Sequence, residues 1–96
     1  MNNQKYTIKP TTRFKKDLKR AKRQGLRIDE LEQVIQTLAE GRQLDKKYRD
    51  HSLTGDLAHC RECHIRPDWL LIYEIDDDVL YLYLTRTGTH AELFGK

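Results

Sequence analysis

Apolar positions along this chain recur with two different periods, and the switch between them predicts its elements. Tyr6 to Lys9 alternates and carries Tyr, Thr and Ile, which predicts a short first strand stopped by Pro10. Thr11 or Thr12 then offers an N-cap hydroxyl, and Phe14, Leu18 and Ala21 follow at helical spacing up to Gly25. A second helix is predicted from about Ile28 to Ala39. Its apolar stripe is Ile28, Leu31, Ile35 and Leu38, its positive end carries Asp29, Glu30 and Glu32, and Gly41 closes it. The short link between two amphipathic helices implies an antiparallel pair laid on something apolar.

That partner is expected to be a sheet. Leu57 to Ile65, Trp69 to Ile75 and Val79 to Arg86 are strand-length segments, and Asp76, Asp77 and Asp78 form an acidic hairpin turn between the last two. In the last strand Leu80, Leu82 and Leu84 share one face, while Tyr81, Tyr83 and Thr85 share the other. The order strand, two helices, three strands predicts one α+β domain over residues 1 to 96. Two N-terminal helices cover one face of a small, mainly antiparallel sheet and leave the other face free for a ligand. Gly41 to Asp56 is read as a long polar loop, and the tail from Thr87 as one last helical turn.

Charge changes the picture more than composition does. Residues 1 to 27 hold ten Lys or Arg against one acid, Asp17, whereas the rest hold eight basic against fourteen acidic side chains. Lys15, Lys16, Lys19 and Arg20 therefore mark the first helix as either a solvated basic face or a surface for a polyanion. The longest apolar runs are a few residues, far below the ~20 that span a bilayer, and the N-terminus lacks a leader's apolar stretch. A cytoplasmic protein with no membrane partner is expected.

Candidate chemistry centres on histidine. His51 lies in the long loop, His59 and His64 on the second predicted strand, and His90 after the last strand. Cleaving RNA without a metal requires a base for the 2′-hydroxyl, an acid for the departing 5′-oxygen and a cation for the phosphate; imidazole suits both proton transfers near neutrality. Arg86, four residues before His90, is a candidate for the cation. Glu62 shares a strand face with Cys60 and His64 and is positioned to orient His64 or share its proton. Cys60 and Cys63 lie three apart on a strand, hence on opposite faces, so they fit neither a zinc site nor a disulfide unless a turn intervenes. No cofactor and no metal is expected. Trp69 is read as a core residue.

Three stretches carry a resemblance: Tyr48 to Asp56, Arg61 to Tyr73 and Arg86 to Phe94. Together they resemble the signature blocks of YafQ-type toxins in the RelE/ParE superfamily, and the basic helix pair and strand order also fit. The resemblance implies the RelE-like fold and the toxin of a type II toxin-antitoxin system. It also implies an mRNA interferase that cuts messenger RNA on the ribosome, and a cognate antitoxin that covers its active face. His51, His64, Asp68 and His90 match the family's catalytic positions, Arg86 its active-site arginine and Glu62 a supporting acid. Phe94 matches an aromatic that places the substrate. Ser52 and Thr54 stand where relatives often carry proline and lysine, and the resemblance then implies one phosphate contact fewer. Either His51 or His64 is expected as base and His90 as acid. Two rivals remain: a ParE-like protein that binds DNA gyrase, and a basic nucleic-acid-binding module without catalysis.

Overall fold

The computed structural model describes residues 4 to 95. Its elements run β1 (Thr7–Pro10), α1 (Thr12–Arg23), α2 (Ile28–Ala39), β2 (His51–Ser52), β3 (Arg61–Arg66), β4 (Trp69–Asp76), β5 (Tyr81–Gly88) and α3 (His90–Phe94), with 3-10 turns at Lys46–Tyr48 and Gly55–Leu57. The strands form one sheet in the order β1-β5-β4-β3-β2. β1 lies parallel to β5, and every other pair is antiparallel. Pro10 ends the edge strand β1, where a missing N–H donor disturbs no inner ladder.

Both long helices start and stop for local reasons. Thr11 caps α1, its Oγ1 accepting the Phe14 N–H at 3.0 Å and donating to the Thr85 carbonyl at 2.9 Å. The cap thus also ties the helix start to β5. At the end of α2 the Ala39 carbonyl accepts the N–H groups of Lys5 and Tyr6, which draws the chain before β1 against the helix. Gly41 stands in this crossing with φ +76°, and a side chain there would meet Lys5 at 2.9 Å.

The core lies between the helices and one face of the sheet. Phe14, Ala21, Leu31, Val34 and Leu38 pack against Cys63, Ile65, Trp69, Leu71, Tyr73, Leu82 and Leu84. Leu31, Leu71 and Leu82 are fully excluded from solvent, and each such side chain contributes about 1.5–3 kcal/mol. Trp69 belongs to this core, and its indole N–H donates to Thr87 Oγ1 at 2.9 Å. Cys63 lies in the cluster while Cys60 is buried outside it; both thiols are free.

Three segments depart from the expected pattern. The stretch from Gly41 to Asp56 is no featureless loop, because His51 and Ser52 add a fifth strand opposite Glu62 and Arg61. The second sheet segment begins at Arg61 rather than Leu57, since the chain is still turning through Ala58 and His59. Finally, β5 starts two residues late. Asp76 accepts the N–H groups of Asp78 and Val79, Leu80 takes a left-handed φ of 57°, and Leu80 is exposed instead of sharing the face of Leu82 and Leu84.

Candidate active site

Short-range constraints bring together four rings, from the edge strand β2, its neighbour β3 and the α3 segment that follows β5. His51 enters on β2, which follows a tightly held turn. Asp50 is gripped by Arg61, with Nη2 at 2.9 Å, and by the Tyr73 hydroxyl, while Arg61 Nη1 also reaches Ser52 Oγ at 2.7 Å. Arg49 adopts a left-handed φ of 51°, which turns its carbonyl onto His51 Nδ1 at 2.7 Å. His64 comes from β3, and its Nδ1 faces the Pro67 carbonyl at 3.3 Å. His90 opens α3, whose capping box pairs Thr89 Oγ1 with the Glu92 N–H at 3.0 Å and Glu92 Oε1 with the Thr89 N–H at 2.8 Å.

The rings form a row. His51 and His64 lie 6.2 Å apart between centroids, His64 and His90 5.9 Å, and His90 and Phe94 6.4 Å. Phe94 keeps an exposed ring at the end of this row. Two carboxylates serve the row differently. Asp68 Oδ1 accepts from His90 Nδ1 at 3.2 Å and from the His90 backbone N–H at 3.3 Å. These two donors, the side chain first, hold the Asp68 carboxyl below the usual carboxylate range. Glu62 is buried, and its Oε1 lies 3.5 Å from His51 Nε2 and 3.4 Å from His64 Nε2.

Hydrogen-bond inventory then fixes the proton arrangement. A carbonyl only accepts, so both Nδ1 atoms facing carbonyls carry protons. In the neutral imidazoles both Nε2 lone pairs consequently point at a carboxylate oxygen. A proton or a cation placed among the three would relieve that opposition. The donor atoms of His51, Glu62 and His64 all lie within 4.8 Å of one another, so the same trio has the chemistry to hold a metal.

The predicted cations divide into two groups. Lys15, Lys16 and Lys19 stand exposed on α1. Arg20 and Arg86 are engaged instead. Arg86 Nε donates to Asp17 Oδ2 at 2.7 Å and Nη2 to Oδ1 at 3.2 Å, while Arg20 bonds Asp17 at 3.2 Å and Glu92 at 3.1 Å. Asp17, the lone acid of the basic segment, is buried and also accepts the Thr87 N–H at 3.1 Å. A sequence pattern shows the isolated acid but not that it faces inward. Residues missed entirely are Lys47 and Arg49. With His64 and Arg66 they line a groove of about 590 Å³ that runs up to the histidine row. Their signal was present as the basic run from Lys46 to Arg49 just ahead of His51.

A mixed sheet backed by two helices, with a histidine row running from β2 across β3 to α3, is the RelE-like toxin architecture. The family described as "Bacterial toxin of type II toxin-antitoxin system, YafQ" matches residues 6–95, and the chain belongs to it. It is 36% identical over 89 residues to the mRNA interferase toxin YafQ of Escherichia coli K12, covering 92% of this chain and 95% of that protein. The toxin in the crystal structure of the E. coli DinJ-YafQ toxin-antitoxin complex superposes with a TM-score of 0.87 at 35% identity, covering 95% of this chain and 99% of that one. A metal-bound toxin from Helicobacter pylori superposes with a TM-score of 0.88 at 43% identity, covering 93% and 99%. Among the described residues no helix is long and apolar enough to cross a membrane.

Proposed function

We propose that this chain is the toxin of a type II toxin-antitoxin pair and acts as an mRNA interferase, cutting translated messenger RNA on the ribosome in the cytoplasm. The reading is carried by the row His51, His64, His90 and Phe94, with Glu62 beside the first two rings and Asp68 beside the third. Family membership and the DinJ-YafQ complex support an antitoxin partner and a hetero-oligomer.

The chemistry follows from the proton inventory. One proton shared among His51, His64 and Glu62 leaves one Nε2 lone pair free, and that nitrogen takes the proton of the 2′-hydroxyl. The O2′–P bond forms as the P–O5′ bond breaks. His90 gives its Nε2 proton to the leaving O5′, while Asp68 fixes its tautomer through Nδ1 and stabilises the charged ring. The products are a 2′,3′-cyclic phosphate and a 5′-hydroxyl. No metal is needed in this scheme, so chelation is expected to leave the rate unchanged. Phe94 stacks on a base beside the cut. Lys47 and Arg49 guide the flanking backbone, and Lys15, Lys16 and Lys19 dock α1 on ribosomal RNA. Arg86, held by Asp17, meets the phosphate with its remaining N–H groups while the carboxylate fixes its plane.

Primer extension on a defined message, with and without its translation, tests the reading. Cuts confined to the translated message are expected for the wild type, with a loss of about 10²- to 10⁴-fold in His64→Ala or His90→Ala of unchanged circular dichroism. Gyrase-dependent DNA damage with intact messages, or normal cleavage by both variants, would overturn it.

A further inference from the structure

Three donor groups that the RNA chemistry leaves unused converge one step along the same sheet from Glu62. The β3–β4 register pairs Arg61 with Tyr73, so one residue further Cys60 falls beside Glu74. Cys60 and Glu62, two apart, face the same side of the sheet, away from the helices, and His59 occupies the turn before β3. That turn removes the strand alternation that would have sent His59 and Cys60 to opposite faces. A ring nitrogen of His59, the sulfur of Cys60 and a carboxylate oxygen of Glu74 all lie within 4.8 Å of one another. Among the described residues neither His59 nor Glu74 hydrogen-bonds another side chain.

We propose that His59, Cys60 and Glu74 form a zinc site, separate from the histidine row, with solvent in the fourth position. Imidazole, thiolate and carboxylate are the three ligand types that Zn²⁺ takes, and three protein ligands plus water is a recurrent tetrahedral set. Zinc-ligand bonds of about 2.0–2.3 Å place tetrahedral donors ~3.3–3.8 Å apart, so the group must close by roughly 1 Å. His59 is exposed and Glu74 only partly buried, which leaves both free to move onto a fixed sulfur. Charge also balances, since one thiolate and one carboxylate neutralise the dication. Without metal, burial and the Glu74 charge push the Cys60 thiol up. On binding, the S–H bond breaks, its proton passes to buffer and the S–Zn bond forms. The bound ion would pin the turn ahead of β3 to β4, beside the residues that hold Glu62.

Cobalt(II) substitution reads this site directly, because only a sulfur ligand gives a thiolate-to-metal charge-transfer band and the trio His51, Glu62 and His64 has none. Titration of the folded chain with Co²⁺, followed by competition with Zn²⁺, is expected to show that band together with tetrahedral visible absorption. Cys60→Ser should abolish it, His59→Ala and Glu74→Gln should each weaken affinity at least ~10-fold, and His64→Ala should leave it in place. If Cys60→Ser does not fold, the two surface variants carry the test alone. A band that never appears, that survives Cys60→Ser, that ignores both surface variants, or that vanishes in folded His64→Ala overturns the assignment.

Discussion

At the scale of single residues, Asp17 sets how far the cations are available. Its carboxylate accepts from Arg86, Arg20 and the Thr87 backbone at once, and it is almost wholly buried. Replacing it with alanine strands two guanidinium groups and a backbone donor. The cost expected is about 2–3 kcal/mol, below that of a fully buried pair because both arginines remain partly exposed to water. A lowered denaturation midpoint with unchanged slope checks this. Asp68 gives a residue-scale prediction in pH. Its carboxyl is held below the usual range by His90, so the contact is complete above the ordinary carboxylate value of ~3.9 and disappears as pH falls through the lower folded value. Nuclear magnetic resonance of the His90 ring through an acid titration should show one perturbation in that low window, and Asp68→Asn should remove it.

At the scale of elements, α3 is the part most dependent on added constraints. Five residues cannot hold a helix alone, and this one relies on the Thr89–Glu92 box and on the ion pair from Arg20. Thr89→Ala is expected to cost about 1 kcal/mol locally. Faster hydrogen exchange from His90 to Phe94, together with slower RNA cleavage and an unchanged global midpoint, is the expected signature. Both long helices, the hairpin and the helix-backed sheet were legible because Phe14, Leu31, Leu38, Leu71, Leu82 and Leu84 repeat at the periods their elements require. β2 was not legible, since two exposed polar residues carry no periodic signal and pair beside an Asp50 clamped by Arg61 and Tyr73. The late start of β5 was hidden too, because an Asx turn at Asp76 displaces Val79 and Leu80 from a run that alternates perfectly.

At the scale of the whole molecule, the sheet separates two tasks. One face is buried under α1 and α2, and the histidine row is carried by strands and a terminal helix that this core holds in place. The grouping of His51, His64, Asp68 and His90 was expected only from the motif resemblance and follows from no periodicity, since it depends on the β2–β3 register and on the α3 cap. The opposition of Arg86 to Asp17 spans 69 positions in sequence and belongs to packing alone. Charge distribution supplies a prediction at this scale. Replacing Lys15, Lys16 and Lys19 together with alanine should weaken docking on the ribosome most at low salt, where the released counterions matter most. The slope of log affinity against log salt should become shallower by about one for each phosphate left without its lysine. Histidine chemistry on bound RNA should be unaffected.

Imidazoles that drive the 2′-hydroxyl onto the neighbouring phosphate leave a record in the ends of the cut RNA. Mass spectrometry of the fragments released from a translated message in the presence of chelator measures it in one step. A 2′,3′-cyclic phosphate on the upstream fragment and a 5′-hydroxyl on the downstream one are expected. A free 3′-hydroxyl facing a 5′-phosphate would contradict it.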